Sequence, residues 1–309
     1  MKQKTWVVRA GDGNVVDDIV AHLGEGALAL DEGRVFVGRK RASRGFAVRV
    51  GDQVHLHARD AGEVVVTILH HEAGILAVDK PAGISTIPDE RDAASSLLHR
   101  AAHAAGVDPR KLHPTSRLDR GVSGVVLFAE NGAARARLKE ARAAGWYIRR
   151  YVAIATRAPT AIADPSIFGN WNARIGRAAD PKKRAVEGRD ATFALTRYRI
   201  VGTAADALSQ PVLLAVEPIT GRTHQIRVHA SHAGAPLLGD RDYGGPRTLV
   251  LASGKVLRLE RIALHCARVQ LPGSLDVRAP VPDELRSWWR ALGGDDGAWA
   301  FASDEELEV

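Results

Sequence analysis

The stretch SRLDRGVSGVVLFAE, running from Ser116 to Glu130, joins a charged turn to an apolar strand. Asp119 sits between Arg117 and Arg120, small residues follow from Gly121 to Gly124, and a strongly apolar run begins behind them. A carboxylate on a loop entering a buried strand is held rigidly by that strand. Flanking guanidinium groups keep such a carboxylate ionised and attract phosphate. Taken alone, the same string also describes a surface salt bridge at a turn.

Working outward, apolar segments recur on both sides. VVVTILHHEAGILAVDK alternates apolar and polar residues and then meets the breaker Pro81-Ala82-Gly83. GVVLFAE, YVAIAT, FALTRYRIV and PVLLAVEP read as strands, and NGAARARLKEARAAG reads as a helix with exposed Arg and Lys. Strands alternate with helices only occasionally and without βαβ spacing. The expected class is α+β, a mixed, mainly antiparallel sheet with flanking helices. Residues 63–292 form the main unit in this reading. Residues 1–62 form a small α/β module, with VVDDIVAHLG and GALALDEG helical and RVFVGRK and DQVHLHA extended. Residues 293–309, Gly-rich and then acidic, are expected to be a flexible tail.

The chain has 309 residues and a formal net charge of +7. A basic balance points to a polyanion, most often nucleic acid, although a soluble protein with an arginine bias has the same composition. Cys266 is the only cysteine, which excludes an internal disulfide and a cysteine-based zinc site and fits a reducing cytoplasm. No apolar run of signal-peptide or membrane-spanning length is present, so no membrane partner is expected.

Three further segments carry chemistry. In IRRYVAIA, Tyr151 heads an apolar strand, where it is either a core-edge tyrosine or a ring facing a ligand. PITGRTHQIRVHASHAGAPLLGDRDYGG, from Pro218 to Gly245, gathers Arg222, His224, Arg227, His229 and His232. The histidine spacing does not match HExxH, and no metal is expected. If residues 224–227 are a strand, alternation puts Gln225 and Arg227 on one face and turns His224 away. Lys80 is either an exposed turn lysine or a phosphate contact. Lys182, Lys183 and Arg184 lie in a basic segment expected to be a mobile, RNA-contacting or merely solvated loop.

Together these motifs resemble the pseudouridine synthase family that modifies uridines in large-subunit ribosomal RNA and transfer RNA. SRLDRGVSG is similar to its HRLDxxTSG signature, with Ser116 where the family usually has His and Val122 where it usually has Thr. The Arg149-to-Tyr151 step matches its K-x-Y pattern, with Arg for Lys, and VDKPAGISTIP matches its NKPxGLxxxP opening. The stretch from Thr220 resembles TGRTHQIRVH followed by GxPLxGD-x-x-YG. The resemblance implies a central catalytic cleft in which Asp119 is catalytic, Tyr151 lies against the target base and Arg227 pairs with Asp119. It implies that Arg117 enters the RNA stack, and that Arg120, Lys80, Arg222, His224, Lys182, Lys183 and Arg184 contact RNA. It also implies no cofactor, a ribosomal or transfer RNA stem-loop as partner, a monomer and a cytoplasmic location. EGRVFVGRKRASRGFAVRVGDQVHLH resembles the alpha-L RNA-binding module, named after small-subunit ribosomal protein four. Two other functions fit parts of the pattern: a non-catalytic RNA-binding ribosome-assembly factor that kept the fold, and a metal-dependent hydrolase using His224, His229 and His232.

Overall fold

The computed structural model describes residues 4–23, 28–31, 33–56, 65–88, 96–159, 169–205 and 210–304. The N-terminal unit holds β1 (Lys4–Val7), α1 (Val16–His22), α2 (Leu28–Asp31), β2 (Val35–Val37), β3 (Lys40–Arg41) and β4 (Gln53–Leu56). Its sheet is antiparallel, in the order β1-β4-β2-β3. Val16, Ile19 and Val20 recur at helical spacing and meet Val35 and Val54 in a core of their own. The expected boundary between residues 62 and 63, and part of GALALDEG, lie outside the described residues.

The main unit continues with β5 (Thr67–Glu72), β6 (Ile75–Lys80), α3 (Leu97–Ala105), β7 (His113–Pro114), β8 (Ser123–Ala129) and α4 (Gly132–Ala143). Next come β9 (Ile148–Ala155), β10 (Gly169–Asn172), β11 (Ile175–Arg177), β12 (Arg184–Val186), β13 (Arg189–Thr192), β14 (Leu195–Thr203) and β15 (Val212–Pro218). The chain then forms α5 (Gln225–His232), β16 (Thr248–Val250), β17 (Val256–Arg258), β18 (Leu264–Leu271), β19 (Leu275–Arg278), α6 (Asp283–Ala291) and α7 (Ala298–Asp304). The large sheet runs β10-β14-β15-β9-β18-β8-β6-β5, with β19 beside β18 and β7 beside β8. Among the described strands of this sheet only β18 and β8 pair in parallel, so it is mixed and mainly antiparallel as expected.

Strict alternation organises the two faces. On β9, Tyr151, Ala153 and Ala155 join one core, while Val152 and Ile154 join the other. Both faces are covered, which is why β8 reads as a continuous apolar run with no polar side. Gly124 has φ +113, and a β-carbon there would collide with the Cys266 backbone, so glycine permits the close approach of β8 to β18.

Two expectations change. Residues 298–304 are helical, not a flexible tail: Trp299 is 1% exposed and meets Trp289 edge-on in the second core. Burying an indole outweighs the Gly-rich, acidic composition around it. Residues 305–309 lie outside the described residues. Lys182 and Lys183 lie in the turn between β11 and β12, where the Lys183 N–H donates to the Asp180 carbonyl at 2.9 Å, whereas Arg184 is not in a loop. Arg184 opens β12 in a three-stranded sheet ordered β12-β11-β13, and its backbone N–H donates to the Tyr243 hydroxyl at 2.9 Å. No helix among the described residues is long and apolar enough to cross a membrane.

Candidate active site

The loop carrying Asp119 is clamped from below. Lys80, at the end of β6, is fully buried, and its Nζ donates to the carbonyl oxygens of Pro81, Asp119, Arg120 and Val122 at 3.1, 3.2, 3.3 and 2.6 Å. Thr86 Oγ1 donates to the Leu118 carbonyl at 2.8 Å and accepts from the Leu118 N–H at 3.1 Å. The Gly83 N–H donates to the Arg120 carbonyl at 2.7 Å. Burial pulls the Lys80 ammonium down to about 7. Lys80 is therefore no phosphate contact, because an amine saturated by backbone carbonyls beneath the loop cannot reach RNA. Val122 likewise contributes its carbonyl, which any residue supplies.

From above, Arg227 projects from α5 onto the carboxylate. Its Nη1 donates to Asp119 Oδ2 at 2.8 Å. Its far side forks onto the buried Asp240, with Nε to Oδ2 and Nη2 to Oδ1 both at 2.7 Å, and Nη2 also reaches Asp242 at 3.1 Å. The Tyr243 ring covers the guanidinium, 4.8 Å from its centroid. Burial opposes the Arg227 charge, but the hydrogen bonds and negative charge of Asp240 outweigh it and hold the group firmly protonated. Gly239, with φ +75, turns the chain so that Asp240 follows, and a β-carbon there would strike the Arg261 carbonyl.

The strand expected at residues 224–227 is a helix. Gln225 begins α5, and His224 precedes it in the left-handed region with φ 57. Alternation therefore does not apply. Gln225 turns from the carboxylate and uses its amide on Thr220, the Arg222 N–H, the Leu195 carbonyl and Thr196. His224, expected to face away, instead brings Nε2 to 3.7 Å from Asp119 Oδ1.

Asp119 opens into a cleft of about 540 Å³, whose lining includes Arg117, Arg120, Tyr151, Arg222, His224 and Arg227. Tyr151 is 7% exposed, and burial raises its phenol well above the ordinary value, so the ring is neutral. Tyr147 donates to Ser116 at 3.4 Å and lies against the guanidinium of Arg142. Lys182 and Lys183 do not line the cleft, and Arg184 borders a separate basic hollow with Arg177 and Arg189. The three histidines do not converge. His229 is bound by Thr196 and the Ala173 carbonyl, and His232 is exposed at the end of α5. Asp240 and Tyr243, the braces of Arg227, are residues that sequence reasoning missed, although the GDRDYGG stretch carries both.

A family model described as RNA pseudouridylate synthase matches residues 74–232, the span from the start of β6 to the end of α5. The chain belongs to the RNA pseudouridylate synthase family. It is thereby an enzyme of the isomerase class. An uncharacterised RNA pseudouridine synthase of Chlorobaculum parvum is 30% identical, over 83% of this chain and 85% of that one. The dual-specificity RNA pseudouridine synthase RluA of Salmonella typhimurium is 32% identical, over 64% of this chain and 86% of its own length. The solved structure of human RNA pseudouridylate synthase domain containing 4 covers 74% of this chain and 93% of its own, with TM-score 0.57 and 24% identity, and shares the fold.

Proposed function

We propose that the cleft isomerises specific uridines to pseudouridine in ribosomal or transfer RNA, with Asp119 as the catalytic residue. One observation carries this reading. Asp119 is open to the cleft on one side, while the other side is fixed by a buried arginine that is itself neutralised by Asp240. A carboxylate so braced stays oriented when substrate removes water from around it.

In this reading the target uridine leaves its stack and enters the cleft. Arg117 fills the gap, and the neutral Tyr151 ring lies against the uracil. Asp119 then either attacks C1′ and holds the sugar covalently, or removes the C2′ proton and passes through a glycal. Either way the N1–C1′ bond breaks, the base turns, C5 joins C1′ and the C5 proton leaves, so no redox partner is needed. Arg120 and Arg222 at the cleft and Lys182, Lys183 and Arg184 beside the basic hollow offer phosphate contacts. Residues 1–62 serve as an alpha-L-like RNA-binding module in the same reading, and the enzyme acts as a cytoplasmic monomer.

The test maps pseudouridine in RNA from cells lacking the gene, complemented with wild type or Asp119→Asn. Particular pseudouridines should vanish, return with wild type and stay absent with Asp119→Asn, whose turnover should fall at least about 1,000-fold. RNA binding by the variant should survive, because the change is nearly isosteric. A deletion that leaves every pseudouridine in place would make the protein a binder without catalysis.

A further inference from the structure

We propose that His224 is a positioning residue for Asp119: its Nε2–H restrains Oδ1, the carboxylate oxygen that Arg227 leaves free, and Tyr243 fixes the imidazole in the tautomer this requires. The proposal rests on the functional reading above and adds a second holder of the carboxylate.

The backbone gives the first argument. His224 has φ 57 and ψ 19 immediately before α5. A non-glycine residue held there costs on the order of 1–3 kcal/mol, although histidine tolerates the region better than most. A right-handed residue would extend α5 by one position and redirect the ring. The strain buys placement of the imidazole at the cleft.

The hydrogen-bond chain gives the second. The Tyr243 hydroxyl oxygen accepts from the Arg184 N–H at 2.9 Å, and in the proposed arrangement it gives its single proton to His224 Nδ1, 2.7 Å away. A neutral imidazole that accepts at Nδ1 carries its proton at Nε2. That nitrogen faces Asp119 Oδ1 at 3.7 Å, while Arg227 occupies Oδ2 at 2.8 Å. The longer distance is not yet a hydrogen bond. A slight turn of either group closes it, as such contacts tighten when substrate is bound.

The charges agree. Facing His224 are Asp119 on its loop, Arg227 on α5, Arg184 on β12, and Asp240 beyond them. Burial lowers the imidazole below its ordinary value, against the pull of Asp119, so the ring is neutral near neutral pH. A neutral donor orients the carboxylate without cancelling its charge. Tyr243 touches both holders, bonding His224 with its hydroxyl and covering Arg227 with its ring.

Two variants separate this role from a structural one. His224→Gly keeps the left-handed backbone and deletes the donor. Tyr243→Phe keeps the ring over Arg227 and deletes the hydroxyl. Single-turnover pseudouridine formation should fall about 10- to 100-fold in His224→Gly, with RNA affinity and thermal midpoint essentially unchanged. Tyr243→Phe should lose less, and the double variant should be no slower than His224→Gly. Long-range nitrogen–proton spectra of the wild-type imidazole should show a neutral ring protonated at Nε2, with the preference weakened in Tyr243→Phe. Wild-type turnover by His224→Gly, or a wild-type ring protonated at Nδ1, would overturn the proposal. The spectra need no turnover. A wild-type protein that makes no pseudouridine would therefore defeat the functional reading, while the imidazole still decides this one.

Discussion

Two polar clusters meet at the start of β8 and differ in what they can do. The Val122 carbonyl belongs to the first, with Lys80, Asp119, Arg227 and Asp240. The next residue, Ser123, belongs to the second. Its hydroxyl donates to His265 Nδ1 and accepts from Arg261, both at 2.8 Å, and His265 Nε2 donates to the Ala279 carbonyl. By spacing alone, Ser123 and His265 look like a nucleophile and its base. Yet both are buried, and neither lines the cleft. The first cluster also buries its charges, but it leaves one carboxylate, Asp119, open to the cleft. In the proposed function, chemistry depends on that opening and not on the inventory of side chains.

The largest effect expected in either cluster comes from Arg227→Met. Asp240 is 1% exposed and relies on Arg227 for two hydrogen bonds. Removing the guanidinium strands a buried carboxylate, which costs about 3–5 kcal/mol of stability. Asp119 also loses its anchor, so pseudouridine formation should be lost with it. Denaturant unfolding and turnover, measured together, check both. A variant with wild-type stability would mean that Asp240 is not held by Arg227, and the first cluster would lose its frame.

The same contrast explains what was legible in the sequence. The antiparallel α+β plan followed from strands at GVVLFAE, YVAIAT and PVLLAVEP, because apolar runs bounded by turns survive tertiary context. Asp119, Tyr151 and Arg227 reach one cleft, and the motif resemblance had pointed to each. Local conformation was harder to read. HQIR carries no strong helix signal, and Gln225 at the start of its helix bonds Leu195 and Thr196, about thirty residues away, so the strand reading reversed the orientation of His224. Lys80 looked exposed beside Pro81-Ala82-Gly83, because its acceptors lie on a loop about forty residues away. Trp299 looked like part of a tail, because its partner Trp289 precedes it in another helix.

The second cluster should reveal itself through acid sensitivity. Burial holds His265 down to about 4 in the folded protein, below its ordinary 6.5. Between these values the unfolded chain binds a proton that the folded chain refuses. Stability from this group therefore rises with pH across the window and is lost as pH falls, by about 3 kcal/mol in all. Asp79 acts in the opposite sense, since burial raises it to about 6 and its folded form keeps a proton that the unfolded chain releases. Comparing wild type with His265→Asn removes the Asp79 contribution. The advantage of wild type over the variant should shrink by about 3 kcal/mol between neutral pH and pH 4 in denaturant titrations. A constant gap would mean that His265 takes up its proton over the same pH range in the folded and unfolded chains, and that burial does not hold it down.

The smallest and sharpest test is Ser123→Ala. The hydroxyl it removes serves His265 and Arg261, while Arg261 keeps its bond to the Leu264 carbonyl. Leaving the imidazole nitrogen and one guanidinium N–H short of a partner should cost about 1–2 kcal/mol. Turnover should stay at the wild-type level, because the Val122 carbonyl still receives Lys80 and the Asp119 loop keeps its clamp. Unfolding and single-turnover measurements on the same preparation decide it. If turnover falls along with stability, the peptide between Val122 and Ser123 transmits strain from one cluster to the other. The sealed cluster would then be part of what holds Asp119 in place.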